Sequence, residues 1–306
     1  ALLPARYALL PGAVLVQAVS GTRDLAVGSG ASLPDGTAVV AGYREVAGTN
    51  FRDSRTNGFA IRPGSYAREL AEYTDSLGNA FFTARAANDD RATPLLARDA
   101  GALNLSVGAS LHLEGSLFAV PGSGGRGARV DLSADQLRIT DGSSGPTAGF
   151  VEVAADALSG LGAESILLGG SRTTGSTATE IEAAASSVTV ASGARVAAPE
   201  VILVATDNIA LESGAEVAAT GTALGAPAQA SVKLTGMKGG ALLRVSRAGQ
   251  VDVIRDPGAT ATGDMSLAAG SRVSAPGSIT VSAAGAGRRE GTLDVPGGSL
   301  SLESSR

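Results

Sequence analysis

The sequence predicts an all-β fold: a right-handed parallel β-helix with coils of about 21 residues, decorated by loops or a short helix over its first hundred residues. Three observations predict it. A strand, corner and strand pattern returns along the chain, and two of its copies stand 21 residues apart at every position. Apolar residues alternate in short pairs, and hardly any stretch keeps the period of about 3.6 that a helix needs. The 44% hydrophobic share comes from Ala, Val and Leu, with 3% aromatic residues and no Trp. A wide globular core would lack filler, whereas a narrow stacked one is filled by aliphatics.

The pattern runs apolar, any, apolar, two of any, Gly, small, any, apolar. Val188, Val190, Gly193, Ala194 and Val196 fit it, as do Ile209, Leu211, Gly214, Ala215 and Val217. Further copies are Met265, Leu267, Gly270, Ser271 and Val273; Leu103, Leu105, Gly108, Ala109 and Leu111; and Leu25, Val27, Gly30, Ala31 and Leu33. Alternation puts the first two apolar residues on one face of a strand. Glycine allows a sharp turn, and the small residue after it fits inside the corner.

Taken in order, residues 1–100 form an aromatic-bearing decorated region. They hold eight of the ten aromatics: Tyr7, Tyr43, Phe51, Phe59, Tyr66, Tyr73, Phe81 and Phe82. Tyr66, Leu70 and Tyr73 have helical spacing, which predicts a short helix over 65–75. Residues 101–306 read as regular coils. Alternating pairs such as Val130 with Leu132, Leu137 with Ile139, Val151 with Val153, Val201 with Leu203, and Ile279 with Val281 fill the intervals between motif copies. The competing β-sandwich would want two-residue Asn-Gly or Asp-Gly turns and aromatic cross-strand pairs, yet residues 151–306 contain no aromatic residue. The whole chain, 1–306, is expected to be one elongated domain.

Charge excludes several partners. A net charge of -5 offers no basic stripe for nucleic acid. Only Lys233 and Lys238 are lysines, and the arginines sit among acids, as in Arg23-Asp24, Arg52-Asp53 and Arg98-Asp99. Apolar runs break well before the roughly 18 residues of a membrane span. The chain opens at Ala1 with no signal-peptide pattern and reads as an internal piece of a longer protein. The absence of Cys suits a chain exported unfolded.

The Ala- and Gly-rich repeats, the opening Pro4-Ala5-Arg6-Tyr7-Ala8-Leu9-Leu10-Pro11-Gly12 and the segment Gly240-Ala241-Leu242-Leu243-Arg244-Val245-Ser246 resemble the large exoproteins of the filamentous haemagglutinin family. More narrowly, they resemble a domain of unassigned function within them. The resemblance implies a Gram-negative parent that is secreted or held at the cell surface and exported by a dedicated outer-membrane partner, the two-partner route. That family's Asn-Pro-Asn-Gly and Asn-Pro-Asn-Leu secretion motifs are absent, as is Arg-Gly-Asp, so the segment reads as shaft or tip.

Chemistry has few candidates, and no cofactor, metal or catalytic residue is assigned. His112 is the sole histidine and lies between Leu111 and Leu113, so it should face solvent if they face inward. With one histidine and no Cys, a Ser/His/Asp triad, a Cys/His pair and a multi-histidine metal site are nearly excluded. Gly122-Ser123-Gly124-Gly125-Arg126-Gly127 matches the dinucleotide fingerprint, but the strand-like Ala128 to Leu132 follows where a helix is needed, so it reads as a turn. Asp89-Asp90 beside Arg91, and Asp53 between Arg52 and Arg55, are the carboxylates that a carbohydrate-active β-helix would use.

Three functions follow as expectations. The first is a non-enzymatic structural shaft of an adhesin, and the segment would look the same as the stick of a contact-dependent toxin. The second is an adhesive module in which Tyr43, Phe51, Tyr66 and Tyr73, within 43–99, bind a host glycan or receptor. The third is a carbohydrate-active β-helix, which requires a groove with clustered acids.

Overall fold

The computed structural model describes residues 5–304 apart from positions 11, 29, 47, 116, 144, 223 and 225–228, so Pro4 and Pro11 of the opening motif lie outside the described residues. The chain divides into two compact units, Ala1–Leu96 and Ala97–Arg306. Among the described residues no helix is long and apolar enough to cross a membrane, which says nothing about strands.

The first unit is built on an antiparallel sheet. Asn57–Pro63 lies between Val14–Val19 and Ala38–Gly42, and Ala31–Ser32 closes the far edge. Phe59 stands opposite Ala18 on one side and Val40 on the other. The small core of Ala8, Leu15 and Ala67 gathers Leu9 and Tyr66. Gly64 is needed there: a Cβ would lie 1.9 Å from the Ala8 carbonyl oxygen. The helix expected over 65–75 is a 3-10 turn, Gly64–Tyr66, followed by one helical turn, Ala67–Leu70. A longer helix, Gly78–Asn88, carries no predicted counterpart and buries only Ala86.

The second unit contains four sheets around two apolar layers. The seven-stranded central sheet runs in the order Ser299–Ser304, Ser278–Ala283, Ala241–Ser246, Glu200–Ala205, Ser165–Leu168, Arg129–Ser133, Ala102–Ser106. Its strands are parallel except Ala241–Ser246, which runs antiparallel to both neighbours. Two all-parallel sheets complete the first layer. One is six-stranded and includes Gln136–Thr140, Ser187–Val190, Asn208–Leu211 and Asp264–Leu267; the other is four-stranded, from Arg195–Ala198 to Thr292–Asp294. Val188, Val190, Val196, Val201, Leu203, Ile209, Leu211 and Leu243 fill this layer.

The other face of the central sheet is covered too. Leu167, Ile202, Val204 and Leu242 meet Ile181, Val232, Leu234 and Val251, which belong to or flank the fourth sheet. This double burial explains why Glu200–Ala205 reads Val-Ile-Leu-Val without polar alternation.

The chain therefore does not form a single right-handed parallel β-helix over 1–306, nor uniform coils of about 21 residues over 101–306. Its strands lie in five separate sheets that mix parallel with antiparallel pairing. The 21-residue spacing is a local register that pairs Val188 with Ile209 and Val196 with Val217. Ile209 then pairs with Met265, because the intervening chain leaves to build Ser231–Thr235, Ala241–Ser246 and Asp252–Arg255 in other sheets. A constant period requires connections of constant length, and these are not.

The corner itself recurs in three copies. Gly193, Gly214 and Gly270 take φ of +77°, +81° and +83°, and the next N–H, of Ala194, Ala215 or Ser271, donates to the carbonyl three residues back. The earliest copy departs from the pattern: Val27, expected inward, is 77% exposed.

Candidate functional site

The four aromatics expected to bind a partner fall in two places. A bridge between Glu45 and Arg52 closes a turn in which Val46 N–H donates to the Phe51 carbonyl and Phe51 N–H to the Thr49 hydroxyl. Phe51 is left 76% exposed at this turn, while the Arg52 guanidinium sits 4.4 Å above the Tyr43 ring. Farther along, Arg62 lies 4.2 Å over Tyr66 and Arg68 lies 5.5 Å over Tyr73. Each tyrosine thus has one ring face occupied by an arginine. Among the described residues the only ring pair is Phe81 with Phe82, so the four candidates do not form a stacked platform.

The carboxylate candidates are spent locally. Asp89 accepts from Arg85 one helical turn earlier, and Asp53 accepts from Asn57. Asp89 and Asp90 form the turn that ends the helix Gly78–Asn88. His112 is exposed between the partly buried Leu111 and Leu113. The glycine-rich segment is a packed turn: Gly122 N–H donates to the Arg98 carbonyl, Arg126 N–H to Asp99, and Gly127 N–H to Glu164. Among the described residues no group of three or more His, Cys, Asp or Glu could hold a metal ion.

The most elaborate polar arrangement is one the sequence reading does not identify. It lies on the outward face of the central sheet, where Asp131, Ser165, Glu200, Arg244 and Ser278 replace the aliphatics of the second layer, and where Arg172 enters from the neighbouring strand Gly170–Thr174. Arg172 Nε donates to Asp131 at 2.8 Å, and its terminal nitrogens donate to the Ser165 hydroxyl and carbonyl at 2.6 and 3.0 Å. The Ser165 hydroxyl in turn donates to Glu200 at 2.6 Å. Glu200 also accepts from Arg244 Nε, whose remaining donors reach the Gly249 carbonyl and the Ser278 and Ser246 hydroxyls. Two buried ion pairs are therefore bridged by one hydroxyl.

Burial pushes the Asp131 carboxyl above its ordinary value, and Arg172 offsets this only in part. Burial also pushes Glu200 up, but Arg244, the Ser165 hydroxyl and Arg172 outweigh it and hold its carboxyl low. Burial lowers Arg172 against the pull of Asp131 and Glu200.

A cleft of about 260 Å³ opens over this network. Ile202, Val232 and Val251 give it an apolar patch, and Thr174, Thr179 and Gln229 line it with polar groups. Arg126 and Arg129 also line it. Arg126 Nε donates to Glu164 at 3.3 Å, whereas Arg129 makes one side-chain hydrogen bond, to the Thr174 hydroxyl at 3.2 Å. In the sequence Asp131 lies between Val130 and Leu132, and Arg244 between Leu243 and Val245. That alternation is the pattern of any strand with one solvated face, so by itself it does not reveal that the charges are buried.

No family model, curated protein or solved structure matches the chain.

Proposed function

We propose that this segment is a structural part of a large secreted or surface-exposed exoprotein of the filamentous haemagglutinin type, exported with an outer-membrane partner. One observation carries the structural role. Val153, Ile139, Val190, Leu211 and Leu267 face one another across five successive parallel strands, an aliphatic ladder in direct register. In the four-stranded sheet of the same layer, ion pairs join neighbouring strands, Arg195 with Glu216 and Arg272 with Asp294. Side chains so used hold strand to strand, which is what a spacer requires. The role is tested by pulling the purified chain between its termini in a single-molecule instrument. A shaft extends the second unit in one large cooperative step, and gradual extension at low force counts against it.

The exposure of Phe51 favours a second reading, an adhesive patch with Tyr43, Tyr66 and Tyr73 that takes a host glycan or receptor. Host-cell binding by the folded chain, lost on Phe51→Ser, supports it. Binding unchanged by substitution at all four positions rejects it.

A further inference from the structure

We propose that the cleft over the buried charge network binds the carboxylate of an acidic sugar, a hexuronate or a sialic acid, and that Arg129 receives it. This goes beyond the structural role and does not depend on the exposed aromatics.

The arginines of the cleft differ in what they have left to give. Arg172 and Arg244 donate from every guanidinium nitrogen to fixed acceptors, so they form a rigid wall. Arg126 shares its charge with Glu164. Arg129 faces no carboxylate within 4.0 Å among the described residues, and its single bond to Thr174 leaves most of its five N–H donors unspent. The matching group for a planar fork of donors is a carboxylate taken by two parallel hydrogen bonds.

The rest of the cleft narrows the ligand. Counting Asp131 behind Arg172, four acids (Asp99, Asp131, Glu164, Glu200) balance four arginines (Arg126, Arg129, Arg172, Arg244), so a polyanion gains little over a single negative charge. The apolar patch of Ile202, Val232 and Val251 suits the C–H face of a pyranose, and Thr179 and Gln229 can meet its hydroxyls. A volume of about 260 Å³ takes a single sugar unit.

The test uses the folded 306-residue chain, with calorimetry and saturation-transfer NMR against methyl glucuronide, methyl sialoside and neutral methyl glucoside. At least one acid should saturate the chain and bind about tenfold or more tightly than the neutral sugar, the difference expected for a charge-assisted pair. Arg129→Gln should abolish that preference, and Arg129→Lys, which keeps the charge but loses the fork, should retain part of it. A thermal melt matching the parent shows that each variant folds. Whichever acid saturates the cleft identifies the source of the carboxylate. The proposal fails if neither acid saturates at tens of millimolar, if the neutral sugar binds equally, or if Arg129→Gln and Arg129→Lys bind as the parent does.

Discussion

Asp131 accepts two hydrogen bonds from Arg172, one from the backbone N–H and one from Nε, each 2.8 Å long and one to each carboxylate oxygen. The two residues are 41 positions apart, so the pair ties Gly170–Thr174 of the outer sheet to Arg129–Ser133 of the central one. Both side chains are almost fully withdrawn from water, 3% and 4% exposed. A pair this deep need not stabilise more than an apolar one, but breaking it leaves the buried Arg172 with only Glu200, 3.8 Å away and already held by Arg244, to answer its charge.

Asp131→Ala should therefore cost about 3–5 kcal/mol of stability, the range for removing one member of a buried ion pair. The double variant Asp131→Leu with Arg172→Met should recover most of that loss, because no isolated charge remains. Urea denaturation of the second unit reads both. A single variant as stable as the parent would mean that Arg172 finds another partner, and a double variant as unstable as the single one would give the pair a net stabilising role.

Two carboxylates should give opposite pH signatures. Asp35 is held at about 2, first by the Thr37 backbone N–H, then by the Thr37 hydroxyl and by Arg62. Its unfolded value is 3.8, so its contribution is present above that value and is lost as pH falls through about 2. Asp131 is raised by burial, so folding makes its carboxyl easier to protonate than it is in the unfolded chain. Its contribution is fullest below the unfolded value and is lost as pH rises through the folded one. Carbon-detected NMR titration should find Asp35 half-protonated near pH 2 and Asp131 above its ordinary range. Arg62→Gln should move Asp35 only modestly, since the Thr37 amide has the larger effect. A return of Asp35 to its ordinary value in that variant would reverse the ranking.

The inward alternation of Val188, Val190, Ile209 and Leu211 is legible in the sequence because a strand with one buried face repeats every second residue, and all four are buried. The direction of a strand leaves no such trace. Ala241–Ser246 alternates alike whichever way it runs, so its antiparallel insertion between parallel strands is invisible to periodicity. The helix Gly78–Asn88 escapes for another reason: with Ala86 as its only buried residue, it has no apolar stripe to detect. The cleft stays hidden because its residues come from strands far apart in sequence, and only register places Ser165 beside Glu200.

Two glycines with positive φ should differ sharply in what they tolerate. At Gly169, φ is +98° and a Cβ would lie 2.0 Å from the Val204 carbonyl oxygen, a backbone atom of the central sheet. Gly169→Ala should cost at least about 3 kcal/mol, strain and collision together. At the corner Gly193, φ is +77° and the nearest atom is Asp141 Oδ2 at 3.3 Å, on a side chain that can turn away. Gly193→Ala should cost only the left-handed penalty of about 1–2 kcal/mol. Chemical denaturation of both variants decides it, and equal losses would remove close approach at Gly169 as the distinguishing cause.

Val190 and Leu211 stand directly opposite each other in register, 0% and 1% exposed, in the middle of the aliphatic ladder. Aspartate at either position puts an unpaired charge between apolar strands, and its neighbours in the first layer offer no donor to receive it. Val190→Asp and Leu211→Asp should each abolish cooperative unfolding of the second unit or leave the protein aggregated. His112→Ala is the matching control: its side chain is exposed between Leu111 and Leu113, so the change should stay within about 0.5 kcal/mol. Circular dichroism melts of the three variants test the assignment together. A normal melt for either aspartate variant would place that position outside the ladder core, and a large loss for His112→Ala would require a buried role for the imidazole.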